Sequence, residues 1–240
     1  MNPEPMPENT LLETGKVTDC KLLPEGSNYT FLATVVGDGG ISSLAIYKPS
    51  AGERPLWDFP AGTLYRREYA AYLISRSLGW DFIPFTIVRE GPHGIGSLQE
   101  FISTQTSSGY FGLQARHETE LWKMAVFDLF ANNADRKASH CLLDYTDKLW
   151  GIDHGLTFNV DSKLRTVVWD FCGEPIPRFL IDDLTMLLKE LNSNSVLTFQ
   201  IEELLSSEES KMLRYRLGSV LMDPVFPQLD PNCNIPWPWF

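Results

Sequence analysis

The chain is poor in positive charge. Against 31 Asp and Glu stand only 20 Lys and Arg, a formal net charge of -11 over 240 residues. Nothing basic is large enough to release counterions from DNA or RNA, which excludes nucleic acid as a partner. The same balance disfavours stable membrane association on anionic lipid. No apolar run approaches the roughly 18 residues needed to cross a bilayer. The first eight residues, Met1-Asn2-Pro3-Glu4-Pro5-Met6-Pro7-Glu8, hold neither the basic nor the apolar stretch of a signal peptide. Cysteine is scarce too. Cys20, Cys141, Cys172 and Cys233 are scattered without CxxC spacing, which reads as reduced core thiols and not as a metal cluster. Internal repeats are absent. These absences point to a cytoplasmic globular chain, long enough for one large domain or two small lobes.

What the sequence does hold changes character near residue 104. Residues 1–14 read as a flexible or loosely docked arm. Three strand-like runs follow at 16–23, 29–36 and 43–48, rich in β-branched and aromatic residues, with Gly37-Asp38-Gly39-Gly40 as a hairpin turn. Apolar positions Ala70, Leu73, Ile74 and Leu78, with Gly79 placed to end the run, predict a helix over 64–78. Two further strands are expected at 85–88 and 97–102. A Ser/Thr/Gly-rich connector then leads to helices predicted over 117–131, 181–191 and 207–221. The expected domains are an N-lobe over 15–103, a C-lobe over 104–222 and a Pro/Trp-rich tail over 223–240. The fold class this order predicts is α+β and two-lobed, an antiparallel sheet with one helix followed by a short, mostly helical half.

Two polar segments carry the chemistry. They are Asn132-Asn133-Ala134-Asp135-Arg136-Lys137-Ala138-Ser139-His140 and Ile152-Asp153-His154-Gly155, with Asp135 and Asp153 18 residues apart. An Asp-bearing loop, a strand, a turn, a second strand and Asp-x-Gly is how kinase-like folds build their catalytic and metal loops. Asp135 is the expected base or acceptor-orienting residue, and Lys137 can steady a transferring phosphoryl group. Asp153 is the expected ligand of a cation, and Gly155 lets the chain turn tightly after it. Lys48, closing the third strand, can reach nucleotide phosphates, and Glu68 on the next helix can pin it. Taken singly, each is an ordinary surface or turn residue. Strand Lys, helix Glu, loop Asp and strand-end Asp in that order point to an ATP site.

Other assignments follow from position. Ser27 and Asn28 lie in a turn suited to covering phosphates, although a plain hairpin turn explains them as well. Glu100 and Ile102 sit where a hinge would offer backbone groups to an adenine ring. Arg165 lies where an acceptor loop is expected; it can bind an acceptor phosphate or carboxylate, or pair with Asp161 or Asp170. Trp237, Trp239 and Phe240 are expected to dock on the protein's own surface, since three exposed aromatics make a costly patch.

These residues resemble the phosphatidylinositol 3- and 4-kinase-related group, and more closely an uncharacterised bacterial family assigned to it. The likeness rests on Tyr47-Lys48-Pro49, the run from Gly52 to Phe59, Arg67-Glu68-Tyr69, Ala134-Asp135-Arg136-Lys137, Ile152-Asp153-His154-Gly155, Leu164-Arg165-Thr166-Val167 and the Pro-Trp-Pro tail. HipA-type kinases are more distantly similar. The resemblance implies Lys48 on the phosphates with Glu68 as partner, Asp135 catalytic and Asp153 on the metal. Three departures stand out. Lys137 replaces the usual His, Asp153-His154-Gly155 replaces Asp-Phe-Gly, and His140 stands where kinases place an Asn metal ligand. Imidazole suits Mn²⁺ better than Mg²⁺. Either the metal preference differs, or Asn132 or Asn133 substitutes, or one metal is bound. The readings are an ATP- and Mg²⁺- or Mn²⁺-dependent phosphotransferase with an unidentified hydroxyl acceptor on a protein or small molecule, a nucleotide-binding pseudokinase, or an adenylyltransferase.

Overall fold

A computed structural model of the protein describes residues 8–24, 28–104, 110, 113 and 116–239. The chain divides into two compact units, residues 1–69 with 84–101, and residues 70–83 with 102–240.

In the first unit, α1 (Glu8–Thr14) precedes β1 (Lys16–Leu22), β2 (Phe31–Val36) and β3 (Ser42–Pro49). The helix α2 (Leu64–Ser77) crosses the division, and β4 (Thr86–Gly91) and β5 (Gly94–Glu100) complete the set. The five strands form one antiparallel sheet in the order β1-β2-β3-β5-β4. Period-two alternation aims Ala33, Val35, Ala45 and Tyr47 at one face, where they bury with Leu98. Leu11 and Leu12 of α1 cover them and are 2% and 1% exposed. Residues 8–14 are therefore a docked helix, not a flexible arm. Two buried leucines stabilise such a contact by several kcal/mol, roughly 2 each, which holds a helix too short to persist alone. At the other end of the sheet, β5 pairs with β3 so that Lys48 lies opposite Ser97. A Cβ on the next residue, Gly96, would collide with the Lys48 carbonyl and the Pro49 backbone. Glycine there lets the two strands close on each other beside Lys48.

In the second unit, α3 (Glu118–Ala131) is buried nearly all round, with Leu121, Trp122, Met124, Ala125, Val126, Phe127 and Phe130 in the core. Trp122 stacks on Phe171 at 3.9 Å between ring centroids, and Phe127 meets Phe82 edge-on at 5.3 Å. A two-stranded hairpin, β6 (Cys141–Leu143) with β7 (Leu149–Gly151), follows the Asp135 segment. Asp144 closes its turn by accepting hydrogen bonds from the Thr146 and Lys148 amides and the Trp150 indole. Three helices end the unit: α4 (Arg178–Leu191), α5 (Val196–Leu204) and α6 (Ser207–Met222). α4 buries Leu180, Leu184, Leu187 and Leu191, a stripe at helical spacing, and packs on α6. It starts at Arg178, before the predicted residue 181, with Pro177 in the N-cap position at φ -53° and ψ 138°. α5, absent from the expectations, is capped by Ser195, whose hydroxyl accepts the Thr198 amide.

The tail docks as a ribbon. Phe226 is fully buried, and its backbone exchanges hydrogen bonds with Gly173 and Glu174. Trp239 docks through its backbone, but Trp237 is 86% exposed, against the expectation that the tail's aromatics would be covered; Phe240 lies outside the described residues. Cys233 is likewise exposed, so only Cys141 among the four thiols belongs fully to the core. Burial pushes the Cys141 thiol up to about 12, which leaves it inert. Among the described residues, no helix is long and apolar enough to cross a membrane.

Candidate active site

In the first unit, the Lys48 ammonium is ion-paired with the Glu68 carboxylate. Glu68 is buried at 3% side-chain exposure, and Lys48 keeps 22%, so the pair presents its cationic end outward. The loop before α2 is built to hold Glu68 in place. Glu53 accepts the Tyr65 amide at 3.0 Å and so caps the helix start, and Arg67 lies over the Phe59 ring at 5.0 Å. Asn28 of the expected phosphate-covering turn also braces this loop. Its carboxamide oxygen accepts the Arg54 amide at 2.8 Å and pins that loop. Ser27 lies outside the described residues. Glu100 spends its amide on Phe85 O within the sheet, and the division between the units falls just after Phe101, one residue before Ile102. Glu100 and Ile102 thus flank the junction where a hinge was expected.

In the second unit, the Asp135 segment rests on a buried charge cluster that sequence reasoning missed. Asp128 of α3 and Arg136 are both 0% exposed. The Arg136 guanidinium donates to both Asp128 oxygens at 2.9–3.2 Å and to Ile152 O at 2.9 Å. Asn133 and Thr166 donate to the same carboxylate at 2.8 and 3.1 Å. Burial works against the Arg136 charge, and Asp128 more than restores it. His154 Nε2 sits 2.6 Å from Arg136 Nη2. Arginine only donates, so this ring nitrogen is the acceptor, which puts the imidazole in its neutral form. The buried His154 ring also packs edge-on against Phe127 and Phe82. It occupies a core slot while tying the Asp153 loop to Arg136. Asp128 was findable: an acid at helical spacing from Leu121 and Ala125 on an apolar face demands a partner.

Both neighbouring amides are engaged by the chain around this cluster. Asn132 donates to the carbonyls of Asn159 and Asp161 and accepts the Lys163 amide. Asn133 donates to Asp128 and accepts the Asp135 amide at 3.0 Å. Each carboxamide oxygen accepts a single hydrogen bond and keeps a second lone pair. His140 is the residue that stands beside Asp153, with Nε2 3.3 Å from Oδ2. Its Nδ1 accepts the Lys137 amide at 3.4 Å, which turns Nε2 toward the carboxylate. Two donor atoms at that separation fit neighbouring positions of one cation, and the nitrogen favours Mn²⁺ over Mg²⁺. No group of three such side chains converges among the described residues, so phosphate oxygens or water would complete the sphere. Gly155 lies in the turn that follows Asp153 without a positive φ, while Asp153 itself adopts the left-handed conformation, φ 61°. A non-glycine residue held there stores strain, a common feature of functional loops.

Asp135 lies 3.1 Å from the Lys137 ammonium. Burial nevertheless pushes its carboxyl up to about 6; Lys137 opposes the rise, the Asp153 charge adds to it and Arg165 opposes it. A carboxylate tuned in this way is suited to take a proton near neutral pH. Arg165 pairs with neither Asp161 nor Asp170. Its side chain makes no ion pair or hydrogen bond among the described residues.

Comparison with known proteins places this geometry. No family model matches the chain. Among solved structures, the Golgi casein kinase with Mn/ADP bound is similar at TM-score 0.57 and 14% identity, covering 89% of this chain and 74% of that one. The Helicobacter pylori proinflammatory kinase CtkA gives TM-score 0.52 at 12% identity, covering 89% and 94%. Hydra Fam20 with sugar gives 0.52 at 14%, covering 88% and 85%. The fold is thus α+β and kinase-like. In sequence, protein Rv2133c of Mycobacterium tuberculosis (strain ATCC 25618 / H37Rv) is 36% identical over 269 aligned residues, 97% of this chain and 95% of that protein. The chain belongs to the family of protein Rv2133c.

Proposed function

We propose that the protein is an ATP- and metal-dependent phosphotransferase acting on a hydroxyl group. The observation that carries this is the placement of two acids far apart in sequence within electrostatic reach of each other. One, Asp135, is raised toward a working base, and the other, Asp153, is paired with a metal-capable His140. Kinase-like neighbours, one of them with Mn/ADP bound, support the nucleotide and the metal. Kinship to phosphatidylinositol 3- and 4-kinases remains part of the proposal, on Asp135-Arg136 and Asp153.

Lys48, steadied by Glu68, binds phosphate oxygens of ATP. Asp153 and His140 hold the cation, which when bound neutralises phosphate charge. Asp135 orients the acceptor hydroxyl and takes its proton. The acceptor oxygen bonds to the γ-phosphorus, the bond from that phosphorus to the β,γ-bridging oxygen breaks, and ADP leaves. Lys137 steadies the transferring group. Catalysis is then positioning and charge neutralisation.

A thermal shift with ATP and Mn²⁺ or Mg²⁺ tests the site. Stabilisation of the wild type should exceed that of Asp153→Asn, and transfer of label from the γ-phosphate should be lost in the variant. Equal stabilisation of both proteins would remove Asp153 from the site.

A further inference from the structure

Resting on the phosphotransferase reading, we infer that the acceptor is a small anionic hydroxyl compound whose carboxylate or phosphate is held by Arg165. Three observations converge. The first is placement. The Arg165 amide donates to Asn133 O at 2.8 Å, and its carbonyl accepts the Arg136 amide at 3.0 Å. Ala134 and Asp135 therefore stand directly across the backbone from Arg165, and the Arg165 charge is felt at the Asp135 carboxyl.

The second is availability. Lys137, the other cation beside Asp135, is already paired with it. Arg165 is exposed and makes no ion pair among the described residues, although Asp161 and Asp170 lie within five residues of it in a chain of net charge -11. Its guanidinium offers a planar fork that matches a carboxylate or phosphate with two parallel hydrogen bonds. A hydroxyl on the same small molecule then lies close to Asp135.

The third is what occupies the neighbouring backbone. A peptide acceptor would dock by pairing with the free edge of this segment. That edge is taken. The Thr166 amide donates to Asn234 O at 2.9 Å and the Ala138 amide to Trp239 O at 2.9 Å, while the Asn234 side chain donates to Leu164 O at 2.7 Å. The tail thus lies along both Arg165 and Lys137. From 223 to 240 it contains no Ser, Thr or Tyr, so it is a wall and not an acceptor.

The test measures binding to the full chain by calorimetry. The probes are glycerate, glycerol 3-phosphate, neutral glycerol and a serine peptide with both termini capped, against wild type, Arg165→Ala and Arg165→Lys. At least one of the two anions should bind the wild type, with the carboxylate and phosphate sources told apart by which does. Its affinity should fall at least 10-fold in Arg165→Ala and less in Arg165→Lys, and glycerol should bind all three proteins equally weakly. Unliganded melting temperatures should agree, because the side chain has no bond to lose among the described residues. The inference is overturned if neither anion binds, if Arg165→Ala binds as the wild type does, or if the capped peptide binds better than both anions. The ATP–Mn²⁺ thermal shift on the same samples is read separately. Its absence sinks the phosphotransferase reading and leaves the Arg165 site to its own result.

Discussion

Replacing Asp128 by Ala removes the acceptor that three groups share. Arg136 loses its partner at 0% exposure, with the Asn133 amide and Thr166 hydroxyl left facing the same void. An uncompensated buried charge costs about 3–5 kcal/mol, and each stranded donor adds on the order of 1 kcal/mol. For a chain of this length, about 2–4 °C of melting temperature goes with each kcal/mol, so a fall of about 10 °C or more is expected by calorimetry. The cycle with Arg136→Ala separates the pair from the rest. With Asp128 already gone, removing Arg136 deletes an unpaired charge, and its cost should drop well below its cost in the wild type. A coupling of several kcal/mol is the expected result. Additive losses, with coupling under about 0.5 kcal/mol, would refute the view that this pair holds the Asp135 segment in place.

Two other outcomes follow from the site. Asp135 titrates near 6 in the fold against 3.8 in an unfolded chain, so between those values the native state binds more protons and stability falls as pH rises. Asp135→Asn escapes that penalty but forgoes the Lys137 pair; it should gain about 1–2 kcal/mol at pH 7.5 and nothing at pH 4, while kcat falls roughly 10²- to 10⁴-fold. Equal melting differences at both pH values would contradict the assignment. His140→Asn exchanges a nitrogen donor for an oxygen, so the ratio of Mn²⁺ to Mg²⁺ stabilisation with ATP should fall about 10-fold or more, and an unchanged ratio would take His140 off the metal.

The five strands and most helices were legible because their periodicity is local. Ala33, Val35, Ala45 and Tyr47 announce an inward face at every second residue. The pairing of Lys48 with Glu68 was readable from order along the chain, whereas His140 came to the Asp153 site only through the resemblance to kinase loops. What escaped depended on partners distant in sequence. α1 is seven residues long and exists because Leu11 and Leu12 find a sheet to cover. Asn28 serves a loop 26 residues away. Asn132 and Asn133 read as possible ligands, while their partners in the backbone of 159–163 and in Asp128 left no mark in the sequence. The tail's path along Thr166 and Ala138 is made of backbone bonds, which leave no mark in side-chain pattern.

The two aspartates near the end of α3, Asp128 and Asp135, are chemically identical and are treated oppositely by the fold. Asp128 is saturated: Arg136, Asn133 and Thr166 fill its oxygens, so it has no lone pair to offer and no reason to move. Asp135 is shielded from water but given one side-chain partner, Lys137, and its carboxyl rises toward neutrality. The first arrangement makes the second possible. A half-satisfied acid would ordinarily turn toward water, and Arg136 opposes this by fixing both neighbouring segments at once, bonding Ile152 before Asp153 and lying next to Asp135 in the chain. The Asp128–Arg136 cluster therefore holds the segments that carry Asp135 and Asp153, and on the phosphotransferase reading a variant that loosens the cluster should lose activity before it loses the fold.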